Sequence, residues 1–284
     1  MNNFRLGVVL ESLGLPVRAG LMAAAKLGVQ GVQVDAVGDL AHDRLGATGR
    51  REFRTLLRSF NQELAAVNVP LRHGLDTFAH QQQRLDHLKQ SMQLAYDLGA
   101  KKLVVPLPRL PKEGEAAKPP PAPADPFPIL SFAAKEPSKA EVLRESLTAL
   151  GKHGDRIGVL LCLEAGLDGG AEVTAYLDGF ESGSLRVTFD PANFLANGHD
   201  PLAALMAVGR RVDHVHARDA RTSGASSGPQ EVAGGAGEVE WMGLVAGLSA
   251  VDYAGFVCVE RTGAAGEVAG GVSFLRRFIP APTG

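Results

Sequence analysis

The chain has 284 residues, of which 45% are hydrophobic and 21% charged, with 29 basic residues against 31 acidic ones. This balance is typical of a folded globular protein, and a pI near 6.5 without long runs of Lys or Arg gives no support to a nucleic-acid partner. No apolar stretch approaches the roughly 18 residues that span a membrane, and the N-terminal segment lacks a basic leader with a cleavage site, so we predict a cytoplasmic protein. Cys162 and Cys258 lie inside apolar runs and are expected to be buried free thiols.

Short apolar runs alternate with longer helical patterns along the whole chain, which indicates βαβ units on a parallel sheet. Eight runs are predicted to be strands, at residues 6–10, 32–35, 66–71, 103–106, 157–164, 185–190, 212–217 and 256–260. The clearest helical patterns between them lie at residues 16–28, 50–66 and 77–98. No G-x-G-x-x-G follows the first strand, and polar residues end many different strands. We therefore predict an α/β fold with one closed (β/α)₈ TIM barrel over residues 1–284 rather than an open doubly wound sheet.

Two segments interrupt this alternation. Residues at about 106–137 contain ten of the 17 prolines, a density that a helix interior does not tolerate. The segment is predicted to be a long loop after the fourth strand, with three roles left open: a lid, a contact between copies in a homo-oligomer, and an inert insertion. A second loop, predicted at residues 222–238, is rich in Gly and Ser.

Polar side chains end the last four predicted strands. The runs LLCLE and FVCVE deliver Glu164 and Glu260, while Asp190 ends the sixth strand and His216 lies near the end of the seventh. Because these strands are neighbours in a barrel, the four side chains can converge at its C-terminal mouth. Three carboxylates and one imidazole suit one divalent ion, Mn²⁺, Mg²⁺, Co²⁺ or Zn²⁺. The alternative is that they cap strand ends without any metal.

The spacing of the two glutamates has a mechanistic consequence. Glu164 and Glu260 are three strands apart, so a substrate held on the metal would meet carboxylates on opposite faces. Proton removal from one face and return from the other, with the metal stabilising an enediolate, is then chemically feasible.

The order and spacing of several segments resemble the xylose isomerase-like TIM-barrel superfamily of sugar phosphate isomerases, ketose 3-epimerases, hydroxypyruvate isomerase, inosose dehydratase and type IV endonucleases. The segments are AAKLGVQGVQVDA (24–36), LCLEAG (161–166), TFDPANFLANGHDP (188–201), HVHARDA (214–220), GAGEVEW (235–241) and YAGFVCVE (253–260). The resemblance implies a TIM barrel whose metal ligands are Glu164, Asp190, His216 and Glu260. It also implies that the two glutamates form the proton-transfer pair, as in the family's epimerases.

Several positions depart from the family's pattern. The three-residue step from the strand 6 aspartate usually reaches a substrate-binding histidine in the epimerases, whereas here it reaches Asn193. The second strand often carries a glutamate where this chain has Gln33. Arg218 and Arg221 are candidates for the arginine that holds the substrate after the strand 7 histidine. The additional histidines of a trinuclear zinc endonuclease site are absent from this sequence.

Three further polar residues near the strand ends have two interpretations each. His73 is either a substrate contact or an ordinary loop residue. Asp219 either orients His216 or a substrate hydroxyl, or caps the following loop. His214 is expected to be a core histidine one layer below His216.

The leading hypothesis is a metal-dependent isomerase or epimerase of a small sugar, sugar phosphate or keto acid. Glu164 and Glu260 would transfer a proton at the carbon next to a metal-bound carbonyl. The alternatives are a metal-dependent dehydratase of a keto-polyol and a non-catalytic carbohydrate-binding barrel.

Overall fold

The computed structural model describes residues 4–111, 137–222, 228–263 and 265–280. Its strands are β1 (Arg5–Val9), β2 (Gly31–Asp35), β3 (Glu63–Asn68), β4 (Lys102–Pro106), β5 (Leu160–Glu164), β6 (Leu185–Phe189), β7 (Val212–Ala217), β8 (Asp219–Arg221), β9 (Gln230–Val232) and β10 (Phe256–Val259). Strands β1 to β7 and β10 close a parallel barrel in the order β1-β10-β7-β6-β5-β4-β3-β2, while β8 and β9 form an antiparallel pair beside it. The predicted TIM-barrel fold is confirmed.

Helices alternate with the barrel strands. They are α1 (Val17–Lys26), α2 (Ala47–Ser59), α3 (Gln81–Leu98), α4 (Lys139–Ile157), α5 (Gly170–Asp178), α6 (Pro191–Ala196), α7 (Pro201–Val208), α8 (Trp241–Ala250) and α9 (Val268–Leu275), with short 3-10 turns at Leu10–Leu13, Gly38–Leu40, Gly209–Arg211 and Ala265–Glu267. Helix α4 begins with a capping box between Ser138 and Glu141 and ends at Gly158, whose left-handed backbone favours glycine. Among the described helices, none has the length and apolar character that crossing a membrane requires.

The core has two layers, because alternate residues of each barrel strand point to opposite faces. One set packs against the helices in a single large apolar cluster. The other set faces the barrel interior, where small clusters form around Cys258 and around Cys162. Both cysteines are fully buried free thiols, as the sequence predicts. The barrel interior below the mouth is therefore filled by side chains.

Most predicted strand ends lie within one residue of the structure, and larger differences occur around β3, at the start of α3 (Gln81 instead of residue 77) and at the start of β5. The third strand was predicted at residues 66–71 after a helix reaching residue 66, but α2 ends at Ser59 and β3 begins four residues later. Asn61 takes a positive φ of 53° and turns the chain there, while Pro70 has no N–H to extend the ladder. The fifth strand begins at Leu160 rather than at residue 157, because helix α4 continues to Ile157.

The two predicted loops are described only in part. Residues 230–232 of the second loop form β9, so its loop prediction is wrong there. Residues 223–227 lie outside the described part of the chain. Most of the proline-rich segment, residues 112–136, also lies outside it, so its three possible roles stay predictions.

Candidate metal centre

The four predicted ligands meet at the C-terminal mouth of the barrel. Glu164 is the last residue of β5, His216 lies near the end of β7, and Asp190 and Glu260 directly follow β6 and β10. Ligand-type atoms of Glu164, Asp190 and His216 all lie within 4.8 Å of one another. Glu260 joins this group through His216, whose Nδ1 atom is 3.1 Å from Glu260 Oε2 and 3.9 Å from Glu164 Oε1.

Asp190 divides its two carboxylate oxygens between two tasks. Its Oδ1 atom accepts hydrogen bonds from the backbone N–H groups of Ala192 and Asn193, at 2.9 and 3.1 Å, and so caps helix α6. Pro191 follows at the first helical position, where a missing N–H costs nothing. The cap holds the carboxylate rigidly, and its Oδ2 atom is left for the mouth.

Three ligand-type atoms at the mouth, Asp190 Oδ2, His216 Nδ1 and Glu260 Oε2, lack a hydrogen bond from any described residue, and so does Arg218 Nε. All three are buried, and an unpaired buried polar atom costs about 1–3 kcal/mol. Asp190 Oδ2 lies 2.9 Å from Arg218 Nε, and this ion-pair contact lacks hydrogen-bond geometry. Carboxylate oxygens with one imidazole nitrogen are the donors that a divalent cation of the Mg²⁺, Mn²⁺ or Zn²⁺ type takes. The residues present therefore fit such an ion.

The charges at the mouth perturb one another strongly. Burial raises the pKa of Asp190 to about 7, although Arg218 acts in the opposite direction. Burial would lower the pKa of His216, but Glu260, Glu164 and Asp190 outweigh it and raise that pKa to about 9. Burial also raises the pKa of Glu164, and His216, Arg218 and Asn193 together bring it below its ordinary value. Three carboxylates are thus crowded at one mouth, where His216 and Arg218 are the cations that offset their charge in the absence of an ion.

Two of the predicted substrate residues, Asn193 and Arg218, touch this group directly. Asn193 Nδ2 donates to Glu164 Oε1 at 2.9 Å, and Arg218 Nη2 donates to Asn193 Oδ1 at 2.6 Å. Gly166 makes room for them: its φ is +134°, and a Cβ there would lie 2.5 Å from Asn193 Cβ. The asparagine thus links the guanidinium to Glu164.

The other predicted substrate residues have no hydrogen bond or ion pair with this group in the described part of the chain. His73 is exposed in the segment after β3. Arg221 Nη2 donates to the carbonyl oxygen of Ala236 at 2.6 Å. The buried Asp219 carboxylate accepts five hydrogen bonds, from the backbone N–H groups of residues 220, 235, 237 and 239 and from the indole N–H of Trp241. This arrangement matches the loop-capping interpretation of Asp219.

Glu11 is a further carboxylate at the mouth that the sequence did not single out, and it lies in the 3-10 turn after β1, the strand that pairs with β10. Its Oε1 atom accepts from the backbone N–H of Asp35 at 2.8 Å, and Asn68 Nδ2 donates to Asp35 Oδ1 at 2.8 Å. Although the residue is exposed at the rim, burial of its carboxyl beside Asp35 raises the pKa of Glu11 to about 7. The signal was present in the sequence, because LGVVLE ends an apolar run in glutamate as LLCLE and FVCVE do.

Comparisons with known proteins agree with this architecture. Residues 21–278 match the family model of the xylose isomerase-like TIM barrel. A xylose isomerase domain protein from Planctomyces limnophilus superposes with a TM-score of 0.76 at 19% identity, over 97% of both chains. A D-psicose 3-epimerase crystallised in the presence of D-fructose gives a TM-score of 0.72 at 14% identity, over 98% of this chain and 100% of the other.

A xylose isomerase-like TIM barrel protein from Mycobacterium smegmatis in complex with magnesium also gives a TM-score of 0.72 at 14% identity, over 98% of both chains. At these identities the structural likeness establishes the fold alone. No curated protein sequence gives a significant match. The family match covers most of the chain, and this protein belongs to the xylose isomerase-like TIM barrel family.

Proposed function

We propose that this protein is a divalent-metal-dependent isomerase or epimerase that acts on a small sugar, sugar phosphate or keto acid. The observation that carries the proposal is the set of buried, unpaired ligand atoms on Asp190, His216 and Glu260 beside Glu164 at one barrel mouth. Solved structures of the same fold include the D-psicose 3-epimerase and a D-tagatose 3-epimerase-like protein, which supports sugar chemistry.

Glu164, Asp190, His216 and Glu260 would hold the ion. When bound, a divalent cation supplies positive charge that polarises a carbonyl group and makes the neighbouring C–H bond more acidic. The remaining chemistry belongs to side chains of this chain.

In the proposed reaction, one glutamate removes the proton from the carbon next to the carbonyl and the other returns a proton to the same carbon from the opposite face. Glu164 and Glu260 come from β5 and the end of β10, with β6 and β7 between them in the barrel. Both are partly open to the mouth, with side-chain exposures of 19% and 22%. The hydrogen bond from Asn193 to Glu164 Oε1 orients that carboxylate and favours its ionised, basic form.

Arg218 and Asn193 are the substrate contacts we propose beside the bases. The guanidinium is hydrogen-bonded to the amide oxygen of Asn193 and lies against Asp190, which fixes its plane at the mouth. A fixed guanidinium binds the hydroxyl, carboxylate or phosphate oxygens of a small polyhydroxylated molecule. Arg221 and Asp219 are hydrogen-bonded to residues between β9 and α8 instead, and a substrate contact by the exposed His73 stays a prediction.

The first test separates metal binding from catalysis. Protein prepared without chelator should contain close to one equivalent of a divalent metal, and EDTA treatment should lower the Tm, with recovery on adding Mn²⁺. A metal content below about a tenth of an equivalent, together with no Mn²⁺-dependent change in Tm, would contradict the metal site.

The second test follows the proton. Candidate ketoses incubated in D₂O with the metal-loaded protein should gain deuterium at the carbon next to the carbonyl. Glu164→Gln should slow exchange by about 100-fold or more for the epimer whose C–H faces Glu164, and Glu260→Gln should do so for the other epimer. Glu52→Gln, on the outer helix α2, should leave both rates unchanged. Metal binding with no exchange in any candidate would instead favour the carbohydrate-binding barrel.

A metal-dependent dehydratase is the second candidate, and Glu11 is the observation that favours it. A carboxyl whose pKa is raised to about 7 keeps a protonated fraction near neutral pH and can donate a proton to a departing hydroxyl. The same α-proton abstraction would precede this step. Loss of water from a keto-polyol, abolished by Glu11→Gln while deuterium exchange persists, would identify the dehydratase.

A further inference from the structure

A single amide oxygen inside the barrel contacts two imidazole rings. Gln33 lies on β2, separated from β7 in the closed sheet by β1 and β10. Its side chain is 1% exposed, and its Oε1 atom lies 2.7 Å from His214 Nε2 and 2.9 Å from His216 Nε2. The two rings stand edge to face, with centroids 5.1 Å apart and an interplanar angle of 88°. Gln33 and His214 therefore form a buried polar group with His216 directly beneath the mouth.

Irregularities in the sheet occur at the residues that make this contact. The β2–β3 ladder shifts register between Val32 and Gln33. The β6–β7 ladder shifts between Val187 and Thr188, so that His214 pairs with Thr188. Such bulges bend a strand and change the direction of a side chain. Here they occur in the two strands whose side chains, Gln33 and His214, meet across the barrel interior.

The chemistry of the amide oxygen decides which atoms carry protons. A carbonyl oxygen accepts hydrogen bonds and has two lone pairs, so both imidazoles must present an Nε2–H group to it. For His216, the Nε2–H bond to Gln33 leaves Nδ1 on the other side of the ring, at 3.1 Å from Glu260 Oε2. The contact with Gln33 therefore determines that Nδ1 is the His216 atom that faces the carboxylates.

We propose that Gln33 is a positioning residue that holds the His216 ring with Nδ1 as its metal-ligating atom. This inference rests on the proposed metal-dependent function. Metal-bound histidines generally donate their other ring N–H to a carboxylate, a carbonyl or water, and loss of that partner typically lowers metal affinity 10–100-fold. In this chain the partner of His216 is the neutral amide oxygen of Gln33. His214 donates its own Nε2–H to the second lone pair of that oxygen and so holds the amide in place.

The glutamine at position 33, a departure from the family's pattern, fits this positioning role. Where the family often carries a glutamate, the glutamine keeps an acceptor oxygen but adds no negative charge below the site. Its side chain is directed toward the histidines of β7 and not toward the open mouth, so it supports the ligand and does not contact the substrate.

Imidazole ¹⁵N NMR of the metal-free wild type is the first test and needs no variant. The spectrum is recorded above about pH 10, because the pKa of His216 is raised to about 9 and only the neutral ring has one proton to place. We expect Nε2 of both His214 and His216 to carry a slowly exchanging proton and both Nδ1 atoms to carry none. An Nε2 atom without a proton in either ring would overturn the proposal. Because this measurement uses no metal, it judges Gln33 even if the metal-dependent function fails.

Mn²⁺ affinity, measured by electron paramagnetic resonance of the full chain, is the second test. Gln33→Met removes the acceptor at similar volume and should weaken Mn²⁺ binding 10–100-fold. Gln33→Glu restores an acceptor and should keep the affinity within about 3-fold of wild type or tighten it. Gln62→Met, which removes another buried glutamine that donates to the carbonyl of Val29, should not change Mn²⁺ binding.

The outcomes separate the two proposals. Equal Mn²⁺ affinity in wild type and Gln33→Met would refute the positioning role. Equal weakening in Gln33→Met and Gln62→Met would also refute it, because both changes would then act only through general stability. Absence of Mn²⁺ binding in wild type would refute the metal-dependent function, and the NMR result alone would then decide the role of Gln33.

Discussion

The strongest effect on stability should come from Asp219, because its buried carboxylate holds together the segment between β9 and α8. It is 1% exposed and accepts five N–H groups, three of them buried: the backbone N–H groups of Ala220 and Val239 and the indole N–H of Trp241. Leaving each buried donor unsatisfied costs about 1–3 kcal/mol, although donors that share one carboxylate are not additive. We therefore expect Asp219→Ala to lower the free energy of unfolding by about 3–5 kcal/mol.

The assay is urea denaturation of the metal-free protein, followed by circular dichroism. Asp219→Asn should cost about 2 kcal/mol, because an amide keeps one accepting oxygen and directs N–H groups at donors on the other side. Asp200→Asn is the matched control: Asp200 is exposed and caps α7 through one bond to Ala203 N–H, so the change should stay within about 0.5 kcal/mol. A loss below about 1 kcal/mol for Asp219→Ala would refute this reasoning.

Three further results should follow from the geometry. Gly166→Ala places a Cβ 2.5 Å from Asn193 at a φ of +134°, so it should slow deuterium exchange, whereas Gly198→Ala, with φ +81° and nothing within 4 Å, should cost stability without changing the rate. Both cysteines are fully buried and burial raises their pKa values, so a thiol reagent should label neither in the native protein and both after denaturation. The pKa of Glu11 is raised from 4.5 to about 7, so its ionisation opposes folding as pH rises through this window. The Tm of Glu11→Gln should therefore increase relative to wild type between about pH 5 and about pH 8.

Each of these three results can fail in a specific way. Equal exchange rates in the two glycine variants would show that Gly166 does not shape the site. Labelling of a native cysteine would show that the barrel interior opens. A constant difference in Tm between Glu11→Gln and wild type across the pH range would show that the raised pKa is wrong.

The sequence predicted the barrel because its signal is repeated: eight apolar runs with helical patterns between them allow few other folds. It also predicted which residues meet at the mouth, since strand ends in a closed parallel barrel necessarily share one rim. The predicted ends of strands and helices were less accurate where contacts with other parts of the fold determine them. Asn61 turns the chain before β3, and nothing in the apolar run at residues 63–69 shows where pairing starts.

The parts of the site that could not be predicted depend on how far a side chain extends across the fold and on which groups share one hydrogen-bond acceptor. Whether Asp219 contacts the mouth or the following segment depends on the path of residues 233–241, which strand patterns do not determine. From the sequence Gln33 was only a departure from the family's pattern, because its contact with β7 crosses the barrel interior and leaves no local pattern. Glu11 was overlooked even though its apolar run resembles those that identified Glu164 and Glu260.

The two tasks of the Asp190 carboxylate have a consequence for redesigning this protein. A glutamate at position 190 could not keep a short-side-chain cap on α6 and also offer its second oxygen to the mouth, so libraries that vary this residue should yield few active clones. Position 193 differs, because only its backbone N–H serves the cap. Replacing its side chain would leave the cap intact but remove the hydrogen bonds that join Arg218 to Glu164, so substitutions at position 193 should alter the mouth without unfolding α6.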